Sequence, residues 1–154
     1  MSNAQLLKDF DIVRSDTDGH CILNTFRHSY QAQYGGDAFL ISDIGSEIWQ
    51  HAQNHFDIYQ NFIDDGDKEK LMKQIFDYIF NKKWIGNEAV DLIPVMLTNI
   101  YNVNIVIIDD FKNLNRVVTP TSGPYSNTYI HVLKRGQHYD ALRPKPRRID
   151  TKRQ

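Results

Sequence analysis

The chain has 154 residues, a formal net charge of −1, and 41% hydrophobic, 12% aromatic and 24% charged residues. That fits one globular domain with a sizeable core and excludes a global electrostatic case for nucleic acid or a membrane surface. No apolar run reaches the roughly 18 residues of a transmembrane helix, and the single cysteine excludes an internal disulfide framework.

Ser2-Asn3-Ala4 reads as the remnant of an expression tag and is set aside. The domain is expected over residues 5–142, with a basic, flexible tail over 143–154. Leu6, Leu7, Phe10, Ile12 and Val13 suggest a short helix and then an extended lead-in. Asp16, Asp18 and Gly19 favour a bend. Beyond it Ile22, Leu23 and Phe26 share a helical face, so a helix is expected from Cys21 to Tyr34, stopped by Gly35-Gly36. Residues 37–63 read as helical, with Ile44, Ile48, Trp49, Ala52 and Phe56 near helical spacing. Leu71, Ile75 and Ile79 repeat every four residues, with Met72, Phe76 and Phe80 beside them and Lys70, Lys73 and Asp77 opposite. Trp84-Ile85-Gly86 is expected to end that helix. Asn87 is a fair N-cap for another carrying Ala89, Ile93, Met96, Leu97 and Ile100, in which Pro94 forces a late start or a bend.

The last third reads as strands. The β-branched run Val103–Ile108 suggests a strand buried on both faces. Arg116–Thr119, Tyr129–Leu133 and His138–Leu142 follow, with a loop over 121–127 and a turn over 134–137. Helices followed by antiparallel-looking strands predict an α+β fold, a small, mostly antiparallel sheet flanked by helices.

Cys21 would stand at a helix N-terminus, where partial positive charge favours a thiolate. A lone cysteine is ordinarily a small buried hydrophobe. What changes the balance is Gln137-His138-Tyr139-Asp140. On a strand, residues i and i+2 share a face. Asp140 can then hold one ring nitrogen of His138 while the other faces Cys21, with Tyr139 turned into the core. That is a nucleophile, a base and an orienting group.

Asp18-Gly19-His20-Cys21, with Leu23 and Phe26 after it, resembles the cysteine loop of the ovarian-tumour (OTU) family of cysteine peptidases. Trp84-Ile85-Gly86 before Glu88, the Val103–Ile107 run, and Ile130-His131-Val132-Leu133 followed by His138-Tyr139-Asp140 are similar to three further motifs of that family, in the same order. The resemblance implies an OTU-like deubiquitinase with Cys21 as nucleophile, His138 as general base and Asp140 orienting it. It implies an oxyanion hole from backbone N–H groups of Asp18, Gly19 and Cys21, and makes His20, Trp84 and Gln137 candidates for lining a substrate channel. For Trp84 a core or helix-cap place is the alternative to the channel, and for the acidic stretch Asp64, Asp65, Asp67 and Glu69 a solvated loop is the alternative to meeting ubiquitin's basic side.

The implied partner is ubiquitin or polyubiquitin, with ubiquitin-like modifiers as further candidates. No cofactor, nucleic acid or membrane is expected, and a monomer is. The location expected is cytoplasmic, the host cytoplasm for a viral or bacterial effector. Three departures suggest a divergent member: His20 stands where the family usually has Asn, Ile85 separates Trp84 from Gly86, and Pro94 interrupts the next helix. His20 is expected to point to solvent. The alternatives are a silent ubiquitin-binding module of the same fold, a metal site using His20, Cys21, His28, His131 or His138, which lack the usual paired ligand spacing, and a nucleic-acid role for the short basic tail.

Overall fold

The computed structural model describes residues 2–14, 20–34, 41–63, 66–83, 87–121 and 126–146. Strands β1 (Phe10–Val13), β2 (Asn104–Asp109), β3 (Leu114–Val118), β4 (Tyr129–Arg135) and β5 (His138–Pro144) form one sheet in the order β1-β5-β4-β2-β3. Three of the pairings are antiparallel. The β2–β4 pairing is parallel, in the register Ile105↔Ile130 and Ile107↔Val132, so the sheet is mostly antiparallel, as expected. A short connection suffices, because β3 runs back along β2 and ends beside its start. At the beginning of β2, Asn104 Nδ2 donates to the Ser126 carbonyl at 2.7 Å and Asn104 N to that of Thr128 at 2.9 Å.

Among the described residues the α-helices α1 (Asn3–Leu7), α2 (Cys21–Tyr34), α3 (Ile41–Asn54), α4 (Phe56–Tyr59), α5 (Lys68–Asn81) and α6 (Ile93–Tyr101) accompany the sheet. One face of the sheet contributes Ile105, Ile107, Ile130, Val132 and Tyr139 to the main core, with Ile22, Leu23 and Phe26 of α2 and Met96 and Leu97 of α6. The other face carries Ile108, Leu133 and Leu142 under Leu6, Leu7 and Phe10. Coverage of both faces accounts for the unbroken apolar run of β2.

Several local readings change. Ser2-Asn3-Ala4 is part of the fold: Ser2 and Gln5 form a capping box on α1, and Asn3 Nδ2 donates to the Asp109 carbonyl at 2.9 Å. The helix expected over 37–63 divides at His55, whose backbone (φ −127°, ψ 35°) leaves the helical region, and a 3₁₀ turn Gln60–Phe62 follows α4. Asp67 caps α5 through Glu69 N at 2.9 Å and Lys70 N at 3.4 Å. Leu71, Ile75 and Ile79 are buried, but Phe76 and Phe80 are exposed at 48% and 60%, stacked on each other at 4.6 Å rather than on the core. Asn87 caps a 3₁₀ helix, Glu88–Leu92, and α6 starts only at Ile93, placing Pro94 in its first turn, where the missing N–H costs nothing. Strand β3 begins earlier than expected because Asn113, in the left-handed region at φ 52°, completes the turn after β2. Strand β5 runs beyond Leu142: Arg143 and Pro144 pair with Asp11 and Phe10, so the first residues of the expected tail belong to the sheet. Gly35-Gly36, Asp64, Asp65 and residues 147–154 lie outside the described residues.

Candidate active site

Helix α2 packs across β5, bringing its first residue to the β4–β5 hairpin. That hairpin turns on two residues, Gly136 and Gln137, between the paired Arg135 and His138. Gly136 has φ 63°, as the first central position of a type II′ turn requires. The turn presents the Gln137 carbonyl to Cys21, whose Sγ lies 3.9 Å away. Cys21 is half-buried, against the edge of the main core.

His138 is the next residue. Its Nε2 lies 2.7 Å from Asp140 Oδ1, as the i, i+2 strand geometry anticipates. The His138 side chain is 29% exposed and that of Asp140 6%, so a partly accessible imidazole leans on a buried carboxylate. A carboxylate only accepts, so Nε2 carries the proton and Nδ1 the lone pair. Tyr139 points to the opposite face, into the core. Burial pushes its phenol up to about 12, with Asp91 and Cys21 adding to the rise and the Arg116 cation opposing it. Cys21 therefore acts on Tyr139 of β5 as well as touching the turn at Gln137. Nothing in the sequence marked Arg116, which stands on β3 beside Ile107 and acts on Tyr139.

His20 does not point to solvent. It is 8% exposed, and its Nε2 lies 2.8 Å from the Tyr78 carbonyl of α5. The ring meets the last turn of α5. Gln137 is exposed and meets the thiol through its backbone. Asp18, Gly19 and Trp84 lie outside the described residues. Two groups that the sequence reading gave no role brace α2: Ser29 Oγ donates to the His131 carbonyl of β4 at 3.2 Å, and Asn24 Nδ2 to the His20 carbonyl at 3.2 Å. Among the described residues, no three His, Cys, Asp or Glu side chains gather as a metal site, and no helix is long and apolar enough to cross a membrane.

No family model and no curated protein matches the chain. Among solved structures it is similar to an OTU deubiquitinase from Wolbachia pipientis wMel, with a TM-score of 0.65, 18% identity, and coverage of 88% of this chain and 89% of that one. The OTU protease of Taggert virus gives 0.64 at 20% identity over 92% and 84%. The Hazara virus OTU bound to ubiquitin gives 0.59 at 21% over 96% and 87%. The chain has the OTU fold.

Proposed function

We propose that the chain is a deubiquitinating cysteine peptidase. The observation that carries this reading is the His138–Asp140 pair at 2.7 Å, on the residues directly following a turn that touches the only thiol of the chain. With Nε2–H committed to Asp140, Nδ1 of His138 accepts the Cys21 proton. The resulting imidazolium is stabilised by a buried carboxylate, and the thiolate by the N-terminus of α2. The thiolate attacks the isopeptide carbonyl after the C-terminal glycine of ubiquitin. Negative charge passes to the carbonyl oxygen, where the Cys21 backbone N–H, with those of Asp18 and Gly19, is assigned to receive it. The tetrahedral intermediate collapses to a thioester as the lysine nitrogen departs with the proton from His138. Water, deprotonated by the same imidazole, hydrolyses the thioester and returns the thiol.

The partner in this reading is ubiquitin, singly or in chains, with ubiquitin-like modifiers as alternative substrates of the same chemistry. The test is a panel of diubiquitins with the wild-type chain and with Cys21→Ala, alongside a ubiquitin-based electrophile. The wild type is expected to cut at least one linkage and to be labelled at Cys21. Cys21→Ala is expected to lose roughly four or more orders of magnitude in rate while still binding ubiquitin. A folded wild-type sample that neither cuts nor labels overturns the reading, and binding without turnover would leave a ubiquitin-binding module in its place.

A further inference from the structure

The mechanism above leaves His20 unused, although it is buried and directly precedes the proposed nucleophile. Its backbone and its side chain serve two different helices. The His20 carbonyl accepts the Asn24 N–H at 2.9 Å, the first helical bond of α2, which places His20 at the N-cap. A Ser, Thr, Asp or Asn at an N-cap folds its side chain back onto the first-turn N–H groups of its own helix. The His20 ring turns the other way. Nε2 meets the Tyr78 carbonyl at 2.8 Å, and the ring meets the Tyr78 ring edge-on at 5.4 Å.

Tyr78 is one of the last four residues of α5, whose carbonyls have no N–H partner within the helix. The residue positioned to supply one is Lys82. It has gone left-handed at φ 54°, and its N–H bonds to the Asp77 carbonyl instead, as does that of Lys83 at 3.1 Å. The imidazole donates to that carbonyl, and because a carbonyl only accepts, Nε2 must carry the proton. Helix α5 is itself fixed, since Leu71, Ile75 and Tyr78 are each at most 1% exposed.

The geometry points to His20 as a positioning residue, a clamp that caps α2 with its backbone and α5 with its side chain and so holds Cys21 one peptide unit from a core helix. The clamp also keeps the capping side chain off the first turn of α2, the turn whose N–H groups the reaction calls on. An asparagine here, the residue the OTU resemblance leads one to expect, is too short to reach α5 and would cap its own helix. The catalytic consequence rests on the peptidase reading, whereas the effect on the thiol does not.

The test compares the full chain with His20→Phe, His20→Gln and His20→Asn. Cys21 is the only cysteine, so the rate of iodoacetamide alkylation reports it alone, whether or not the protein cuts ubiquitin. Phe keeps the ring and loses the donor. It is expected to slow alkylation and to lower kcat for ubiquitin cleavage about tenfold, the value of roughly one good hydrogen bond, with KM within about twofold. Gln, whose Nε2 sits at the reach of the imidazole nitrogen, is expected to restore both readouts to within about threefold, and Asn is not. Wild-type alkylation and kcat in a folded His20→Phe sample overturn the clamp, as does a Gln variant no better than Phe. If His20→Phe fails to fold, Gln against Asn decides, and equal behaviour of those two overturns it. A wild type that cuts no ubiquitin, with alkylation rates ordered as expected, ends the peptidase reading and leaves the clamp standing.

Discussion

Replacing Asp140 by Asn separates the charge of the His138 partner from its shape. Asp140 is 5% exposed and its Oδ1 lies 2.7 Å from His138 Nε2. The amide oxygen of Asn can still accept that N–H, so ring orientation and tautomer are kept. What disappears is the negative charge facing the imidazolium during thiol deprotonation and amine departure. A hydrogen bond to a charged group contributes about 1.5–3 kcal/mol, and a neutral one about 0.5–1.5. The difference, ~1–2 kcal/mol, corresponds to roughly 5–30-fold in rate. A full unit charge about 4 Å away at an effective dielectric of about 20 would give ~4 kcal/mol, which makes roughly a thousandfold the ceiling. Stability should move differently, because a buried carboxylate also carries a desolvation cost that Asn avoids. The expected signature is kcat down roughly 5–1000-fold on ubiquitin bearing a fluorogenic leaving group, KM little changed, and Tm equal or higher. A folded Asp140→Asn protein with kcat within about threefold of wild type would refute the argument. So would a loss of activity that merely follows a loss of Tm.

Two further expectations concern the frame. A Cβ on Gly45 of α3 would lie 2.7 Å from Ile79 Cγ2 of α5, an overlap costing about 1–3 kcal/mol because the branched side chain is stiff. The gain in helix propensity returns only about 1 kcal/mol. Gly45→Ala should therefore lower stability by about 1 kcal/mol in chemical denaturation, and the double variant with Ile79→Ala should lose less than the sum of the two singles; strict additivity would contradict the close crossing. Burial holds the His131 imidazole below its ordinary value of 6.5, as do burial with Arg27 for His28 and burial with His55 for His51. A histidine depressed in the folded state refuses a proton that the unfolded chain accepts, so its contribution is whole above about pH 6.5 and is lost as pH falls from there through the lower folded value. Tm should drop between about pH 7.5 and 5.5, and His131→Phe, set against Phe10 where the rings now stand 4.7 Å apart, should narrow the drop. An equal drop in that variant would dismiss the assignment to His131.

Much of the frame was legible because it is local. The four-residue repeat of Leu71, Ile75 and Ile79 places α5 without help from the rest of the chain. The His138–Asp140 contact follows from strand periodicity alone. The same repeat misled at Phe76 and Phe80, since the apolar stripe of α5 is wider than the surface its neighbours cover. The tag-like start misled too, because Asn3 earns its place only through Asp109, 106 residues on.

Residue types and their spacing determined that this chain would make an α+β domain, with a helix opening at Cys21 and a strand carrying His138 beside Asp140. Only the tertiary structure decided that β2 and β4 run parallel, that Cys21 meets a turn 116 residues away, and that His20 faces Tyr78, 58 residues on, rather than water. The reason is physical. Periodicity and capping are energies between near neighbours in the chain, whereas these contacts depend on which helix end and which strand the shared core brings alongside.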